Sequence, residues 1–149
     1  MRIHIGTDHA GFDLKEYLVG ELSERGYEVV DHGAYEYDSA DDYPEFCISA
    51  AEGVMDDDDD EALGIVIGGS GNGEQIAANK VEGIRAILAW NNETAALGRE
   101  HNDANVISVG ARQHTEEEVL DMVLTFLETP FSDSERHVRR IDMISDYES

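Results

Sequence analysis

The stretch Leu63-Gly64-Ile65-Val66-Ile67, followed by Gly68-Gly69-Ser70-Gly71-Asn72-Gly73-Glu74, decides the fold of this chain. Its first five residues are the most apolar short run in the sequence, which predicts a strand buried in a parallel sheet. The glycine-rich residues then lead into a helix expected from Glu74 to Lys80. Four glycines let backbone N–H groups turn toward a bound oxygen at that helix N-terminus. The loop is not a dinucleotide fingerprint, because Gly69-x-Gly71 would require glycine where Glu74 stands. It is not a Walker loop, because no Lys-Ser or Lys-Thr follows it. A glycine-rich loop alone is equally well a tight strand-to-helix turn.

Working outward, the same alternation of apolar runs and amphipathic stretches recurs. Arg2 to Gly6 reads as a strand, and Phe12 to Arg25 as a helix with Leu14, Leu18 and Leu22 on one face. Gly26 is placed to cap it in the left-handed conformation. Tyr27 to Val30 is a second strand, and Pro44 opens a helix carrying Phe46, Cys47, Ala50, Ala51 and Val54. Downstream, Ile84 to Leu88 and Val106 to Val109 are strands, with Glu93 to Glu100 a helix between them. Thr115 to Glu118 is a capping box opening a helix to about Leu127, and Ser132 to Glu135 is a second box before a C-terminal helix. Strand and helix alternating five times predict an α/β fold, a five-stranded parallel sheet covered on both faces, in one domain over residues 1–149.

The chain has 34 acidic residues against 10 lysines and arginines, a formal net charge of −24. That balance excludes nucleic acid and anionic membrane surfaces as partners. It fits a carboxylated surface adapted to high salt, or an acidic but ordinary enzyme. No apolar run approaches the roughly 20 residues of a membrane span. Met1 runs directly into a strand, so no signal peptide is expected, and Cys47 is the only cysteine. A cytoplasmic location follows as the expectation. The six consecutive acids Asp56 to Glu61 read as a solvated turn rather than a metal site.

In open parallel sheets ligands bind at the carboxyl ends of the strands. Three polar clusters fall there: Thr7-Asp8-His9, the loop Gly68 to Glu74, and Arg112. A carboxylate beside a nest of N–H donors makes a poor phosphate cradle but a sensible general base next to an oxyanion hole. Moving a proton between C1 and C2 of a sugar creates an enediolate, and each donor to its oxygens is worth about 3 kcal/mol in the transition state. Arg136, His137, Arg139 and Arg140 concentrate scarce cations on the last helix, with Arg136 and Arg140 on one face and Val138, Ile141 and Ile144 on another. Such arginines suit bidentate phosphate binding. His9 follows Asp8, and His101 follows the fourth helix pattern. Histidine as a residue type can open a sugar ring by moving the anomeric proton, and each alone reads equally as a structural hydrogen-bonding residue. His4, His32 and His114 have no motif around them.

Together these residues resemble the ribose-5-phosphate isomerase B family, which includes the galactose-6-phosphate isomerase subunits. The matching motifs are Gly6-Thr7-Asp8-His9-Ala10-Gly11, Asp42-Tyr43-Pro44, Gly68 through Lys80, Gly83-Ile84-Arg85-Ala86, Arg99 through Asn105, Gly110-Ala111-Arg112 and Arg136-His137-x-x-Arg140. The resemblance implies a Rossmann-like three-layer sandwich with an extended C-terminal helix, a homodimer (or a dimer of dimers) with shared active sites, and a place in the pentose phosphate pathway. Many members carry a cysteine base two residues before the Ser70 position. This chain has Gly68 there and looks like the branch in which a glutamate, here Glu74, takes over. Carried over by position, Asp8 and His101 assist ring opening, and Glu74 shuttles the proton. Ser70 with the backbone of Gly69, Gly71 and Gly73 holds the enediolate oxygen, while Tyr43 and Asn102 contact sugar hydroxyls. His9, Arg112, Arg136, His137 and Arg140 grip the phosphate. No metal or organic cofactor is implied. Two other readings stay open on sequence: an isomerase of a hexose 6-phosphate such as galactose or allose 6-phosphate, and a non-catalytic flavodoxin-like binding module.

Overall fold

The computed structural model describes residues 1–148. Five strands, β1 (Arg2–Thr7), β2 (Glu28–Asp31), β3 (Leu63–Gly68), β4 (Ala86–Leu88) and β5 (Val106–Gly110), form one parallel sheet in the order β2-β1-β3-β5-β4. Every residue of β3, the central strand, is buried, as its unbroken apolar run requires. Side chains alternate across the sheet. Ile3, Ile5, Ile65, Ile67, Ile107 and Val109 face one layer, with α1 (Phe12–Glu24), α4 (Asn92–Asn102) and α5 (Glu116–Glu128). Val66 and Val106 face the other, with α2 (Tyr43–Asp56) and α3 (Asn72–Ala78). This is the expected three-layer sandwich. No helix among the described residues is long and apolar enough to cross a membrane.

Local chemistry sets most of the boundaries. Gly26, at φ +89°, closes α1 as the sequence foretells: its N–H donates to Ser23 and that of Tyr27 to Leu22. Thr115 and Glu118 form their capping box, donating to one another at 3.2 and 2.7 Å. The second box does not form. Asp133 adopts φ 55°, and the Ser132 hydroxyl instead accepts from Ser134 N–H and shares a 2.7 Å hydrogen bond with His137 Nδ1. The last helix, α6 (Glu135–Glu148), therefore starts later, and it buries no residue against its own chain. Its apolar face is exposed at Val138, Met143 and Ile144. Two further corrections concern ends. The third helix begins at Asn72, ahead of Glu74, and α4 runs on through His101 and Asn102 until Asp103, at φ 47°, stops it.

The acid run Asp56 to Glu61 is a turn, but not a wholly solvated one. The Asp57 side chain is 2% exposed. It holds Arg2 and accepts from His4 Nε2 at 2.6 Å.

Candidate active site

The strand order reverses between β1 and β3, so their carboxyl ends flank the crevice where open α/β sheets bind ligands. Asp8 and His9 follow β1, the Gly68–Glu74 loop follows β3, and Arg112 follows β5. Backbone hydrogen bonds lock the last two together: Ala111 N–H donates to Gly68 O at 2.7 Å and Arg112 N–H to Gly69 O at 3.1 Å. Gly71, at φ +88°, turns the chain into α3. Its carbonyl is pinned by the hydroxyl of Ser108, a fully buried residue of β5, at 2.7 Å. Ser108 went unnoticed in the sequence, although a lone hydroxyl in the apolar run Val106 to Val109 was its signal.

Glu74 lies in the first turn of α3 and is 5% exposed. Its carboxyl occupies the space beside Gly68: a Cβ on Gly68 would overlap the carboxyl carbon and both oxygens. A side chain at position 68 and this placement of Glu74 exclude one another. Burial pushes the Glu74 pKa up, and the nearby Asp8 carboxylate adds to the rise; the N–H groups of Glu74 itself and of Gly71 oppose it. Gly71 N–H thus supports the base. Asp8, 7% exposed, accepts from Ala10 N–H at 3.0 Å. Tyr43 brings its hydroxyl against Gly73, and the Arg112 guanidinium lies over Gly69. The Ser70 hydroxyl accepts from Asn72 N–H at 3.2 Å. Cys47, buried in α2, has its thiol pKa pushed up mainly by burial, then by Glu74 and Asp8, so it stays a neutral packing group.

His9 is held by Asp41, a residue that no motif in the sequence marks. One carboxylate oxygen accepts both His9 N–H, at 2.9 Å, and ring Nδ1, at 2.8 Å. That hydrogen bond is the main reason the His9 pKa is raised. Asp8, His9 and Asp41 also offer three ligand atoms within 4.8 Å of one another, the one group among the described residues that could hold a cation. A metal taking Nδ1 there would have to displace the Asp41 hydrogen bond.

The remaining predicted residues are elsewhere. Helix α4 starts beyond the carboxyl end of β4 and runs back for 11 residues, about 16 Å, to the amino end of β5. His101 and Asn102 end it at the sheet edge opposite the glycine loop, where Arg85 Nε, just before β4, donates to Asn102 O at 2.9 Å. The start of α6 is tied there: Ser132 N–H donates to Glu100 O, and the His137 ring lies 4.4 Å from that of His101. Burial, His101 and the arginines Arg140 and Arg136 hold the His137 pKa down. One chain therefore carries two clusters at opposite edges of its sheet. Arg2, Arg25, Arg85 and Arg99 pair with carboxylates. Arg112, Arg136 and Arg140 have no ion-pair partner among the described residues. Unpaired arginines in so acidic a chain are free to meet an anion. A cavity of about 800 Å³ opens at the same far edge, between Arg85, Arg99, Asp103 and the Asp57–Glu61 turn. Its carboxylates outnumber its cations and would repel a phosphate.

The ribose/galactose isomerase family model matches residues 3–144. Ribose-5-phosphate isomerase B of Mycolicibacterium paratuberculosis is 54% identical over 148 residues, 99% of this chain and 92% of that protein. Among solved structures, Clostridium thermocellum ribose-5-phosphate isomerase B superposes with a TM-score of 0.93 at 43% identity, covering 99% of this chain and 97% of that one. The Mycoplasma genitalium enzyme, solved with bound ribulose-5-phosphate, gives 0.92 at 40% identity, covering 99% and 95%. Matches of this extent, over an enzyme family, leave no place for the non-catalytic module, and the chain belongs to the ribose/galactose isomerase family, among its ribose-5-phosphate isomerases B.

Proposed function

We propose that, in this ribose-5-phosphate isomerase, Glu74 moves the proton between C2 and C1 of the open-chain sugar through a cis-enediolate. The observation that carries this reading is the Glu74 carboxyl itself: buried, raised in pKa, seated in the space left by Gly68, and beside the glycine loop. A base of this kind takes the C2 proton in one direction and the C1 proton in the other. The hydroxyl of Ser70 and the N–H groups of Gly69 and Gly73 serve the developing oxyanion. Gly71 N–H is shared with the base. Asp8 and His101 open the ring, Tyr43 and Asn102 meet sugar hydroxyls, and His9 and Arg112 grip the phosphate. No metal or organic cofactor takes part, and the enzyme works in the cytoplasm.

His101, Asn102, Arg136, His137 and Arg140 serve the site of a second copy. Two observations support this homodimer: the far-edge cluster is out of reach of the glycine loop in its own chain, and α6 has no buried residue and leaves Val138, Met143 and Ile144 exposed. An isologous dimer joins near edge to far edge twice.

The test is to incubate the protein with ribose 5-phosphate and follow ribulose 5-phosphate, with galactose and allose 6-phosphates in parallel. Turnover of the pentose phosphate with weaker or no turnover of the others is expected. Turnover of a hexose phosphate alone would overturn the pentose assignment.

A further inference from the structure

Asp41 has the only buried side-chain oxygen among the described residues without a hydrogen-bond partner, its Oδ2. Its Oδ1 is doubly used, by the main chain and the ring of His9. The Asp41 side chain is 10% exposed and that of His9 25%. One oxygen thus fixes both the backbone and the ring of His9 and occupies Nδ1, so Nε2 is the one ring nitrogen left for a ligand. An aromatic brace completes the hold: Tyr37 meets His9 edge-on at 6.3 Å and Phe12 at 6.2 Å.

A buried carboxylate with a bare oxygen is costly as an isolated anion, and a positive charge on the group it touches relieves that cost. Among the described residues, the ring its carboxylate hydrogen-bonds is that of His9. We propose that Asp41 is the positioning residue of the phosphate grip: it fixes His9 with Nδ1–H on its own carboxylate and favours the imidazolium form of the ring, whose Nε2–H donates to the substrate phosphate. The proposal rests on the isomerase reading for its phosphate ligand. The groups facing His9 divide. Asp41 and Asp8 favour the cation, burial and Arg112 oppose it, and the balance lies above the ordinary value of 6.5. In the proposed dimer the second copy's arginines would add to Arg112.

The sign follows. A phosphate dianion binds best to the imidazolium, so the grip weakens as pH rises through the raised His9 value. Asp41→Asn removes the main cause of the rise, so the variant loses its grip at lower pH. The phosphate titrates identically in both proteins and cancels in their ratio. The experiment measures KM and kcat for ribose 5-phosphate, and the dissociation constant of inorganic phosphate, for the full chain and for Asp41→Asn from about pH 5.5 to 9. It also follows the His9 ring nitrogens by NMR in the unaltered protein. Expected are KM and the phosphate constant raised together by about tenfold near pH 7.5, with kcat within about twofold. The ratio to the unaltered protein should be largest between pH 6.5 and the His9 value and shrink on either side. A loop that merely loosens would raise the ratio equally at every pH. That flat ratio, an unchanged phosphate constant, or a His9 ring titrating at or below 6.5 in the unaltered protein would overturn the proposal. If ribose 5-phosphate is not turned over at all, the isomerase reading fails, while the phosphate titration and the NMR still decide the role of Asp41.

Discussion

Gly68 matters for what it lacks. Because it has no Cβ, the Glu74 carboxyl can lie against the end of β3, shielded from water and close to Asp8. Gly68→Ala adds one methyl and no charge, yet it must expel the carboxyl from that space. The expected outcome is a kcat lowered by at least ~10²-fold, the lower range for a misplaced general base, with a smaller change in KM. Steady-state kinetics check it, and near-normal turnover would contradict the mutual exclusion of a side chain at 68 and a base at 74. Both residues were legible in the sequence, since each sits inside a continuous motif. Asp41 was not, because its partner His9 lies 32 positions away and several acids stand beside it. Ser108 and Asp57 were missed for the same reason: their hydrogen bonds reach across the sheet, 37 residues to Gly71 and 53 to His4.

Among the elements, β1 shows how one strand serves two environments. Ile3 and Ile5 enter the apolar layer, while His4, between them, faces α2. There His4 joins a hydrogen-bonded chain from Asp57 through His4 and His32 to Ser49, with 2.8 Å between the two rings and 2.8 Å from His32 to Ser49. Gly53 of α2 makes room for it: a Cβ there would lie 2.5 Å from His4 Nδ1 and 2.7 Å from His32 Nε2. Gly→Ala inside a helix ordinarily stabilises by about 1 kcal/mol. Gly53→Ala should do the reverse, costing about 1–3 kcal/mol through overpacking. Thermal melting checks it, and a raised Tm would contradict the packing of the histidine chain against α2. The element types were legible because apolar periodicity, Gly26 and the Thr115 box act locally. The ends of α3, α4 and α6 were not. Asp103 and Asp133 stop or delay helices with a left-handed backbone that the side chain alone does not announce.

At the scale of the molecule, the glycine-loop residues and the His101–His137 cluster lie at opposite edges of one sheet, which the chain order alone could not reveal. If two copies complete each other, mixing Glu74→Gln with His101→Ala after dissociation should rebuild one intact site in each mixed dimer. Activity should then recover to about a quarter of the unaltered level at equal mixing. Activity equal to the mean of the two inactive parents would contradict a shared site. The net charge of −24 acts on the whole surface as well. Self-repulsion of that size destabilises the compact state until salt screens it, so Tm should rise by several degrees from dilute to molar KCl. A Tm indifferent to KCl would remove the high-salt reading and leave an ordinary acidic enzyme.

The most direct measurement is the turnover of ribose 5-phosphate by Glu74→Gln, at saturating substrate and across pH. The unaltered enzyme should lose activity on its acid side at a pH above the ordinary glutamate value of 4.5, where the buried carboxyl takes up its proton. The variant should retain its KM within a few-fold while kcat falls by at least ~10²-fold and that acid limb disappears. A variant with near-normal kcat, or one that keeps the same acid limb, would contradict Glu74 as the base.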